Sequence, residues 1–412
     1  MMSVHKRRKL LLLGAGFEQI TAIEIAQELG YSVTAFDNQK TPVGAAAADE
    51  FVSVNVKDDA ALIEAARKIR PDGVFVHAAE LAIPTAKVAD ALGLPGIGTE
   101  VARRCTDKRL RTAALAEAGI ETPAFRILEK SAPLDAWIEA YVALGPMVVC
   151  KPPDMAGARG VELVQTADDV ASYRSRGGGV DAEAFLMETY TSGGQLSTES
   201  VIIDGAVAHT AIALRHYDTT AALRPYLIED GHSMGLDLSA ALTAEIDAVT
   251  ARAATALGMK NGVLKGDLII PGDGRIVVLE MAGRTSGGRF ADTVVPRATG
   301  VNILYPLIQM AMGDTPDRAW LKPRWKVGMS QRFFFPMPGR TIAAIPDLSL
   351  TGQRPGVVGI WLNRHLVTGD VLPEVRCHGD RLGYVLCTGP TREEADALAL
   401  GITRNMRFDF AS

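Results

Sequence analysis

The sequence has few cysteines, no long apolar run and no excess of positive charge. Its four cysteines show no CxxC spacing, which argues against a disulfide framework and favours reduced thiols in a cytoplasmic protein. No apolar stretch reaches the roughly 18 residues that cross a bilayer, and Leu10–Leu13 is too short for a signal-peptide core. The net charge of −5 argues against a large nucleic-acid footprint. We therefore expect neither a membrane nor a nucleic acid as a partner.

The chain is long enough for more than one hydrophobic core. It has 412 residues, 48% hydrophobic and 22% charged, which is typical of a globular protein with several subdomains. The first hundred residues alternate strands and helices, which predicts a parallel α/β sheet and a boundary near residue 104. Thr166 and Asp169 are spaced for a helix capping box. From about residue 320 onward the chain is rich in predicted strands.

The stretch LLLLGAGFEQ, residues 10–19, is typical of the start of a nucleotide-binding fold. Gly14 and Gly16 predict a tight turn between a buried strand and a helix. A dinucleotide site also needs a third glycine, and that position holds Gln19. Asp37 does end the second predicted strand, where an acid would reach a ribose. An NAD site is therefore only weakly supported by these residues.

Two lysines and a glycine-containing loop form a candidate phosphate site. Lys108 opens a predicted helix, and Lys151 ends a strand that runs into PPDMAGARG. Each lysine alone is more typical of a surface cation. The loop that follows Lys151 contains Gly157 and Gly160. Glycines have no side chain beyond hydrogen, so they leave backbone N–H groups accessible to phosphate oxygens. It is not a Walker loop, because GxxxxGK[ST] occurs nowhere in the sequence.

A predicted hairpin carries two acids that should face each other. Asp267 lies on one strand and Glu280 on the other, with the turn near residues 272–274. Like charges in opposite positions destabilise a sheet, so a cation between them is one interpretation. Carboxylate oxygens shared with phosphates suit Mg²⁺. The alternative is an exposed strand face with two solvated acids.

Several stretches occur in the order found in the ATP-grasp superfamily. They are FVHAAELAIPTAKVADALGLPGIGTEVARRCTDKRLRTAALAEAGIETP, VVCKPPDMAGARGV, LMETYTSGGQLSTES, and GDLII with VVLEMAGRTSGG. The chain resembles this superfamily over nearly its whole length. The resemblance implies an α/β protein of ATP-grasp architecture, in which the glycine turn belongs to a domain that helps to bind the non-nucleotide substrate rather than NAD. It implies a parallel α/β N-terminal domain over 1–104, a two-part α+β ATP-grasp domain over 105–315 with a mobile lid near 120–190, and a strand-rich α+β segment over 316–412 that completes the substrate domain.

The resemblance also implies ATP and Mg²⁺ as cofactors, with Mn²⁺ as a substitute. The metal ligands would be Asp267 and Glu280. Two departures from the family pattern bear on this site: Ala282 stands where many members have Asn, and Asp267 where many have Glu, so an ion would be held more loosely or with more water. The residues implied to contact ATP are Lys108, Lys151, Ala156, Gly157, Ala158, Gly160, Glu188, Thr189, Tyr190 and Thr191, with Gln195 or Glu199 near the ribose.

Within the superfamily, LIEDGHSMG, EMAGRTSGGRFADTVVPRATGVNI and the C-terminal segment are most similar to the L-amino acid ligase branch. This similarity implies an ATP-dependent carboxylate–amine ligase that works through an acyl phosphate on small-molecule substrates, as a homodimer. Arg284 would hold the carboxylate or acyl phosphate, and Lys151 would help catalysis. Glu229 and His232 are candidates to bind or deprotonate the amine. The implied substrate residues are Glu229, His232, Arg284, Ser286, Gly287 and Gly288.

Some alternatives stay open from the sequence. An ATP-grasp carboxylase or purine-pathway ligase would use bicarbonate or formate, and the missing MKM carrier motif weakens only the biotin-dependent version. Arg284 could simply pair with a nearby acid. His77 and His216 are weaker candidates for the proton acceptor. QRFFFP at 331–336 is more typical of a buried strand than of an aromatic cage.

Overall fold

A parallel sheet with helical crossovers forms the first part of the chain in the computed structural model, which describes residues 7–362 and 366–411. Its strand order is β3-β2-β1-β4, so β1 is central and its four leucines are completely buried. The parallel α/β sheet predicted for this segment is confirmed. The elements are β1 (Lys9–Leu13), α1 (Ile20–Glu28), β2 (Ser32–Asp37), β3 (Glu50–Ser53), α2 (Asp59–Ile69), β4 (Gly73–Val76) and α3 (Ala82–Leu92).

The glycine turn after β1 is bonded within the protein. The Asp37 carboxylate accepts the Ala15 N–H at 2.9 Å, and the Gln19 side-chain oxygen accepts the Gly16 N–H at 2.9 Å. The Gln19 amide also donates to the His77 carbonyl at 2.6 Å. Gln19 thus binds the turn from the position where a dinucleotide fingerprint has its third glycine. This arrangement argues against a pyrophosphate at the turn.

A small antiparallel sheet lies within the segment predicted as a lid. Its strand order is β5-β8-β6-β7, and Thr166 with Asp169 forms the predicted capping box at the start of α7. The predicted domain boundary near residue 104 lies inside the helix α4, so the chain is helical there and does not form a linker. The elements are α4 (Thr99–Thr106), α5 (Lys108–Glu117), β5 (Phe125–Glu129), α6 (Leu134–Leu144), β6 (Val148–Lys151), β7 (Glu162–Val164), α7 (Ala167–Arg176) and β8 (Ala184–Thr189).

Three aromatic rings make the core of this small sheet. Trp137 is fully buried, with ring centroids 6.3 Å from Tyr173 and 5.8 Å from Phe185. We expect Trp137→Ala to lower the free energy of unfolding by about 3–5 kcal/mol, because the cavity would lie among packed rings. Val142→Ala, at a position 70% exposed on the same helix, is the control. Urea unfolding followed by circular dichroism measures both; equal midpoints for the two variants would contradict this packing role.

An eight-stranded antiparallel sheet makes up most of the remaining chain, in the order β13-β12-β9-β10-β11-β14-β17-β16. Strands of the predicted C-terminal segment therefore continue the sheet that carries the acid hairpin. Gln331–Phe334, the first four residues of QRFFFP, lie on the largely buried strand β14, as predicted. The elements are β9 (Gly194–Ile203), β10 (Ala206–His216), α8 (Thr220–Leu223), β11 (Gly231–Met234), α9 (Ala240–Leu257), β12 (Gly262–Ile270), β13 (Val277–Ala282), α10 (Val295–Thr299), α11 (Leu304–Ala311), β14 (Gly328–Phe334), β15 (Ile342–Ala344), α12 (Ser349–Gly352), β16 (Val357–Leu362), β17 (Gly383–Gly389), α13 (Arg392–Asn405) and β18 (Asp409–Phe410).

Within residues 7–362 and 366–411, none of the helices combines the length and apolar character needed to cross a membrane.

Candidate active site

A cleft of about 490 Å³ lies where the first sheet, the small sheet and the large sheet meet. Most of the residues predicted from the sequence line it, although they come from positions far apart in the chain. Of the residues that the resemblance assigns to the site, Gly160 and Glu199 lie outside the lining. Those that line it are Lys108, Lys151, Ala156, Gly157, Ala158, Glu188, Thr189, Tyr190, Thr191, Gln195, Glu229, His232, Asp267, Glu280, Arg284, Ser286, Gly287 and Gly288.

Two buried lysines stand at one end of the cleft. Lys108 follows the helix cap Asp107, and its ammonium donates to the Met155 carbonyl at 2.5 Å. Lys151 ends β6 and pairs with Glu188 at 2.5 Å. Burial lowers the pKa of Lys108 to about 8, and Glu280 only partly offsets this effect. A bound anion would therefore stabilise the charged form of Lys108.

The glycine loop between β6 and β7 is open at one glycine and packed at the other. Gly157 has φ +66°, and a Cβ there would meet only the Cβ of His378, at 3.7 Å. Gly160 also has positive φ, but a Cβ there would press on Pro152 at 3.2 Å, and its carbonyl accepts the Tyr173 hydroxyl at 2.8 Å. Gly160 therefore anchors the base of the loop, and its predicted place over the phosphates stays a prediction.

The two acids of the hairpin are direct partners in the β12–β13 register, as predicted. Asp267 is buried, and the Glu280 side chain is 30% exposed, so they do not form a solvated strand face. Lys265 lies 2.5 Å from Asp267 and 3.8 Å from Glu280. Arg215 lies 2.7 Å from Asp267, and Arg111 lies 3.6 Å from Glu280. The two carboxylates are surrounded by cations.

This cationic surrounding sets the ionisation of Glu280. Burial alone would raise its pKa, but Arg111, Lys265 and Lys108 together hold the pKa well below its usual range. Glu280 is therefore a carboxylate at neutral pH. Arg111 is 1% exposed, and its Nε and Nη2 have no hydrogen-bond partner within the part of the chain that is described. An anion in the cleft would supply one.

Three of these cations were not predicted as site residues from the sequence. For two of them, the spacing from a predicted site residue would have indicated the position. Lys265 precedes Asp267 by two residues on a strand, so both side chains lie on one face. Arg111 follows Lys108 by three residues on a helix, which also places them on one face. Arg215 had no such signal, because only the pairing of β10 with its neighbours brings it to Asp267.

Arg284 follows β13 and pairs with an acid of the first domain. Its guanidinium contacts the Glu80 carboxylate, and its Nη1 donates to the Thr285 carbonyl at 3.2 Å. Glu80 lies between β4 and α3 and is 48% exposed. The structure thus realises the alternative in which Arg284 pairs with a nearby acid. An exposed partner can be exchanged for a ligand anion at little cost.

The loop after Arg284 is fixed by hydrogen bonds to buried side chains. The Ser286 N–H donates to Glu199 at 2.9 Å, and the Ser286 hydroxyl donates to the same carboxylate. Glu199 is completely buried and supports this loop; its predicted place near a ribose stays a prediction. The Gly288 N–H donates to Glu18 at 2.7 Å, and Thr285 bonds His77 at 2.9 Å.

Glu229 and His232 lie together on the cleft wall. Nδ1 of His232 lies 3.4 Å from Glu229, which also pairs with Arg215 at 2.9 Å. Burial would raise the pKa of Glu229, but Arg215 and His232 hold it well below its usual range. With Nδ1 directed at Glu229, Nε2 is buried without a hydrogen-bond partner within the described residues. A neutral His232 would offer a proton acceptor there.

The other predicted histidines lie outside the lining. His77 is buried beneath the Thr285 loop. His216 is bonded to Ser233 at 2.9 Å, and burial together with Arg332 lowers its pKa to about 4.

Side chains of the C-terminal segment also reach the cleft; the sequence predicted that this segment completes the substrate domain but assigned none of its residues to the site. Phe333 and Gln331 come from β14, and His378 and Arg381 from the turn before β17. The His378 N–H donates to the Gly157 carbonyl at 2.9 Å, so this turn contacts the glycine loop. No local sequence pattern marks these residues, because they lie more than 140 residues beyond the glycine loop.

Two known domains match the ends of the chain. The ATP-grasp N-terminal domain matches residues 23–96, and the L-amino acid ligase C-terminal domain 2 matches residues 332–411.

Curated relatives match parts of the chain. The formate-dependent phosphoribosylglycinamide formyltransferase of Oleidesulfovibrio alaskensis is 28% identical over 233 residues, which is 55% of this chain and 55% of that protein. The D-alanine–D-alanine ligase of Bordetella petrii is 28% identical over 217 residues, which is 51% of this chain and 64% of that protein. The chain thus spans between 55% and 64% of the length of these two relatives.

Solved structures match over nearly the full length. L-amino acid ligase from Bacillus licheniformis has a TM-score of 0.83 at 22% identity, covering 99% of this chain and 100% of that one. Carboxyaminoimidazole ribonucleotide synthase from Aspergillus clavatus, solved in complex with ATP, has a TM-score of 0.75 at 18% identity. The match covers 97% of this chain and 99% of that one. At these identities the likeness shows the fold. The chain thus has the fold of the ATP-grasp enzymes, an ATP-grasp N-terminal domain match near its start and an L-amino acid ligase domain match at its end.

Proposed function

We propose that the protein is an ATP-dependent ligase that joins a small carboxylic acid, such as an amino acid, to an amine. The observation that carries the proposal is the composition of one cleft. Lys108, Lys151 and the glycine loop offer an anion site beside two facing carboxylates, and Arg284 lies just past the end of the strand that carries Glu280. The L-amino acid ligase match to the C-terminal segment supports an amine as the second substrate.

The residues present fit ATP with Mg²⁺. Arg111 keeps two buried nitrogens without a partner, and Lys108 is a buried cation, so triphosphate oxygens would find donors in the cleft. Asp267 and Glu280 would hold Mg²⁺, whose remaining ligands would be phosphate oxygens and water; the described residues contain no group of three or more His, Cys, Asp or Glu placed for a metal. Bound Mg²⁺ would neutralise phosphate charge.

The chain's own residues then account for activation of the acid. A carboxylate is a poor electrophile, and transfer of the γ-phosphoryl group converts it into an acyl phosphate with a good leaving group. Lys108 and Lys151 would position the phosphates, and Arg284 would exchange Glu80 for the substrate carboxylate. The small sheet and the glycine loop would act as the lid that excludes water from the acyl phosphate.

The amine would be handled by the polar wall of the cleft. Glu229 is a carboxylate that could bind an ammonium group, and Nε2 of His232 could accept the proton that the amine loses. Gln331 supports this assignment, because its side-chain oxygen is buried without a partner within the described residues while the residue lines the cleft. Attack of the amine on the acyl phosphate forms the amide and releases phosphate, with ADP as the other product.

A phosphate-release screen over pairs of amino acids and small carboxylic acids tests the proposal. We expect release that needs Mg²⁺, ATP, an acid and an amine together, and a new amide detected by mass spectrometry. Thermal-shift titration with NAD and with Mg-ATP is run in parallel, and we expect stabilisation by Mg-ATP. Stabilisation by NAD alone, or phosphate release with no amide product, would contradict the assignment.

A second candidate is favoured by the match to the formate-dependent formyltransferase, namely a ligase that uses formate or bicarbonate. The same screen separates the two. Phosphate release stimulated by formate or bicarbonate, but by no amino acid, would favour this candidate.

We expect ATP affinity to fall as the pH rises above about 8. Lys108 has a pKa of about 8 in the free protein because it is buried, and phosphate oxygens favour its charged form. Affinity should therefore be flat just below this pH and should weaken by up to about tenfold per pH unit above it. Calorimetry of Mg-ATP binding in buffers of different ionisation enthalpy should show proton uptake near pH 8–9.

Lys108→Arg is the matched control, because arginine stays charged over this range. Its ATP affinity should be independent of pH between about 8 and 10. A wild-type affinity that is equally flat would contradict a role for Lys108 at the phosphates.

A further inference from the structure

A second cavity, of about 520 Å³, lies between the first sheet and the large sheet. Strand β4 and helix α3 form one of its walls, the start of β12 forms another, and the end of α11 forms a third. Lys108, Lys151, Asp267 and Glu280 all lie outside its lining, so it is separate from the groups assigned to ATP and Mg²⁺. Its volume is in the range of cavities that hold small organic molecules.

The interior of the second cavity is apolar. Water makes few hydrogen bonds against apolar walls, and an unfilled apolar cavity costs stability in proportion to its volume. The hydrocarbon part of a ligand would therefore be favoured there over water. The buried hydrophobic residues of the lining are Val74, Phe75, Val76, Ala82, Ala86, Ala89, Ile203, Val263 and Leu307.

The mouth of the second cavity carries an acid without a counter-ion. Asp204, in the turn between β9 and β10, is exposed and lines the cavity, as does Asp314 after α11. The Asp314 carboxylate is paired with Arg8 and accepts the Tyr31 hydroxyl. The Asp204 carboxylate has neither an ion pair nor a hydrogen bond within the part of the chain that the structure describes. Its main chain is fixed, because the Asp204 N–H donates to Oδ1 of Asn261 at 2.8 Å.

One residue belongs to both cavities. Arg284 lines the second cavity as well as the catalytic cleft, and Gly283 beside it lines the second cavity alone. The Arg284 guanidinium contacts Glu80, while its Nε is buried without a hydrogen-bond partner among the described residues. Gly283 is closely packed, since a Cβ there would lie 3.0 Å from the Cβ of Cys105. A ligand that displaced this segment would therefore displace Arg284 in the cleft.

We propose that the second cavity is an effector site for an apolar amine. The hydrocarbon part of the amine fills the interior, and its ammonium group pairs with Asp204 at the mouth. An anionic head group is disfavoured, because it would meet the uncompensated charge of Asp204, and Arg284 is already paired with Glu80. The bound amine acts through Gly283 and Arg284 on the carboxylate substrate. This coupling rests on the proposed ligase function, whereas binding of the amine does not.

Three probes of equal chain length test the choice of head group: hexylamine, hexanol and hexanoate. The full chain, with Mg²⁺ and a non-hydrolysable ATP analogue present, is titrated with each probe at neutral pH by calorimetry and thermal shift. We expect hexylamine to bind about threefold or more tightly than hexanol, and hexanoate to bind most weakly. Asp204→Asn should remove the advantage of the amine and leave the affinity for hexanol unchanged.

Asp273→Asn is the matched control, because Asp273 is also an exposed acid in a hairpin turn and lies outside the second cavity. It should bind the three probes like the wild type. Ala86→Leu narrows the interior, where Ala86 is 2% exposed, and should weaken the binding of all three probes. Far-UV circular dichroism checks its fold, and the comparison of Asp204→Asn with the wild type decides the proposal even where Ala86→Leu does not fold.

The catalytic cleft, at Glu229, is the other place where an amine could bind. Glu229→Gln should leave hexylamine binding unchanged. Loss of binding in this variant, with Asp204→Asn unaffected, would place the amine in the cleft and overturn the proposal. Equal affinities for hexylamine and hexanoate in the wild type, or binding of none of the probes, would also overturn it.

The coupling to Arg284 is tested with an acid substrate identified in the turnover screen. Saturating hexylamine should change the KM for this acid about fivefold or more in the wild type, and less in Asp204→Asn. An unchanged KM, or an equal change in both proteins, would overturn the coupling. The ligase function would fail separately, through absence of an amide product in the turnover screen.

Discussion

Glu280→Gln is expected to reduce turnover about a thousandfold while the protein stays folded. The substitution keeps the size of the side chain and removes the charge that would hold Mg²⁺ at the phosphates. Glu280 is a carboxylate at neutral pH because Arg111, Lys265 and Lys108 lower its pKa against the effect of burial. ADP formation under saturating Mg-ATP measures the loss, and far-UV circular dichroism checks the fold.

The hairpin that carries Glu280 also offers a matched control. Asp273 lies in its exposed turn and pairs with Arg275 at 2.7 Å, so Asp273→Asn removes one acid from the same hairpin far from the cleft. This variant should keep wild-type turnover. A folded Glu280→Gln protein with wild-type turnover would show that Glu280 is not a metal ligand.

Arg284→Lys is expected to lower kcat/KM for the carboxylate substrate about a hundredfold and to change ATP affinity little. A lysine keeps the charge but cannot hold a carboxylate or acyl phosphate through two parallel hydrogen bonds. Single-turnover ADP formation in the presence of the acid measures the chemical effect, and calorimetry measures ATP binding. Loss of ATP binding in step with activity would place Arg284 at the nucleotide instead.

Glu80→Gln distinguishes substrate binding from a purely structural ion pair. Arg284 contacts Glu80 in the structure, and Glu80 is 48% exposed. If Arg284 served only this pair, Glu80→Gln and Arg284→Lys would impair the protein alike. If Arg284 binds the substrate, Glu80→Gln should leave kcat intact and keep or lower the KM for the acid, because the guanidinium loses a competing partner.

The most reliable sequence predictions were those that depend on neighbours along the chain. The capping box at Thr166 and Asp169 and the facing acids Asp267 and Glu280 are both present. The capping box follows from a spacing of three residues at the start of a helix. The facing acids follow from their similar distances from a tight turn. The resemblance to the ATP-grasp superfamily, carried by motifs in order along the chain, is supported by the fold and by the domain matches. The roles of individual site residues stay predictions.

Other features depended on how distant segments meet. The resemblance placed Glu199 near a ribose; it shares a face of β9 with Gln195 and Ser197, which line the cleft, but the loop after Arg284 covers it and Ser286 donates hydrogen bonds to its carboxylate. Gly160 has the same conformational freedom as Gly157, yet Tyr173 and Pro152 make it a fixed base of the loop. A residue type alone does not distinguish an open position from a packed one.

By itself, the sequence determined the alternation of strands and helices in the first hundred residues, the parallel first sheet and the acid hairpin, because hydrophobic period, caps and turns act over a few residues. Only the tertiary structure decided that Arg215 joins Asp267 to Glu229, that Arg284 pairs with Glu80, and that Arg381 lines the cleft with no ion pair to any carboxylate of the described residues. Charges in a cleft are balanced by whichever groups the fold brings within a few ångströms, and these groups come from strands and loops separated by up to hundreds of residues.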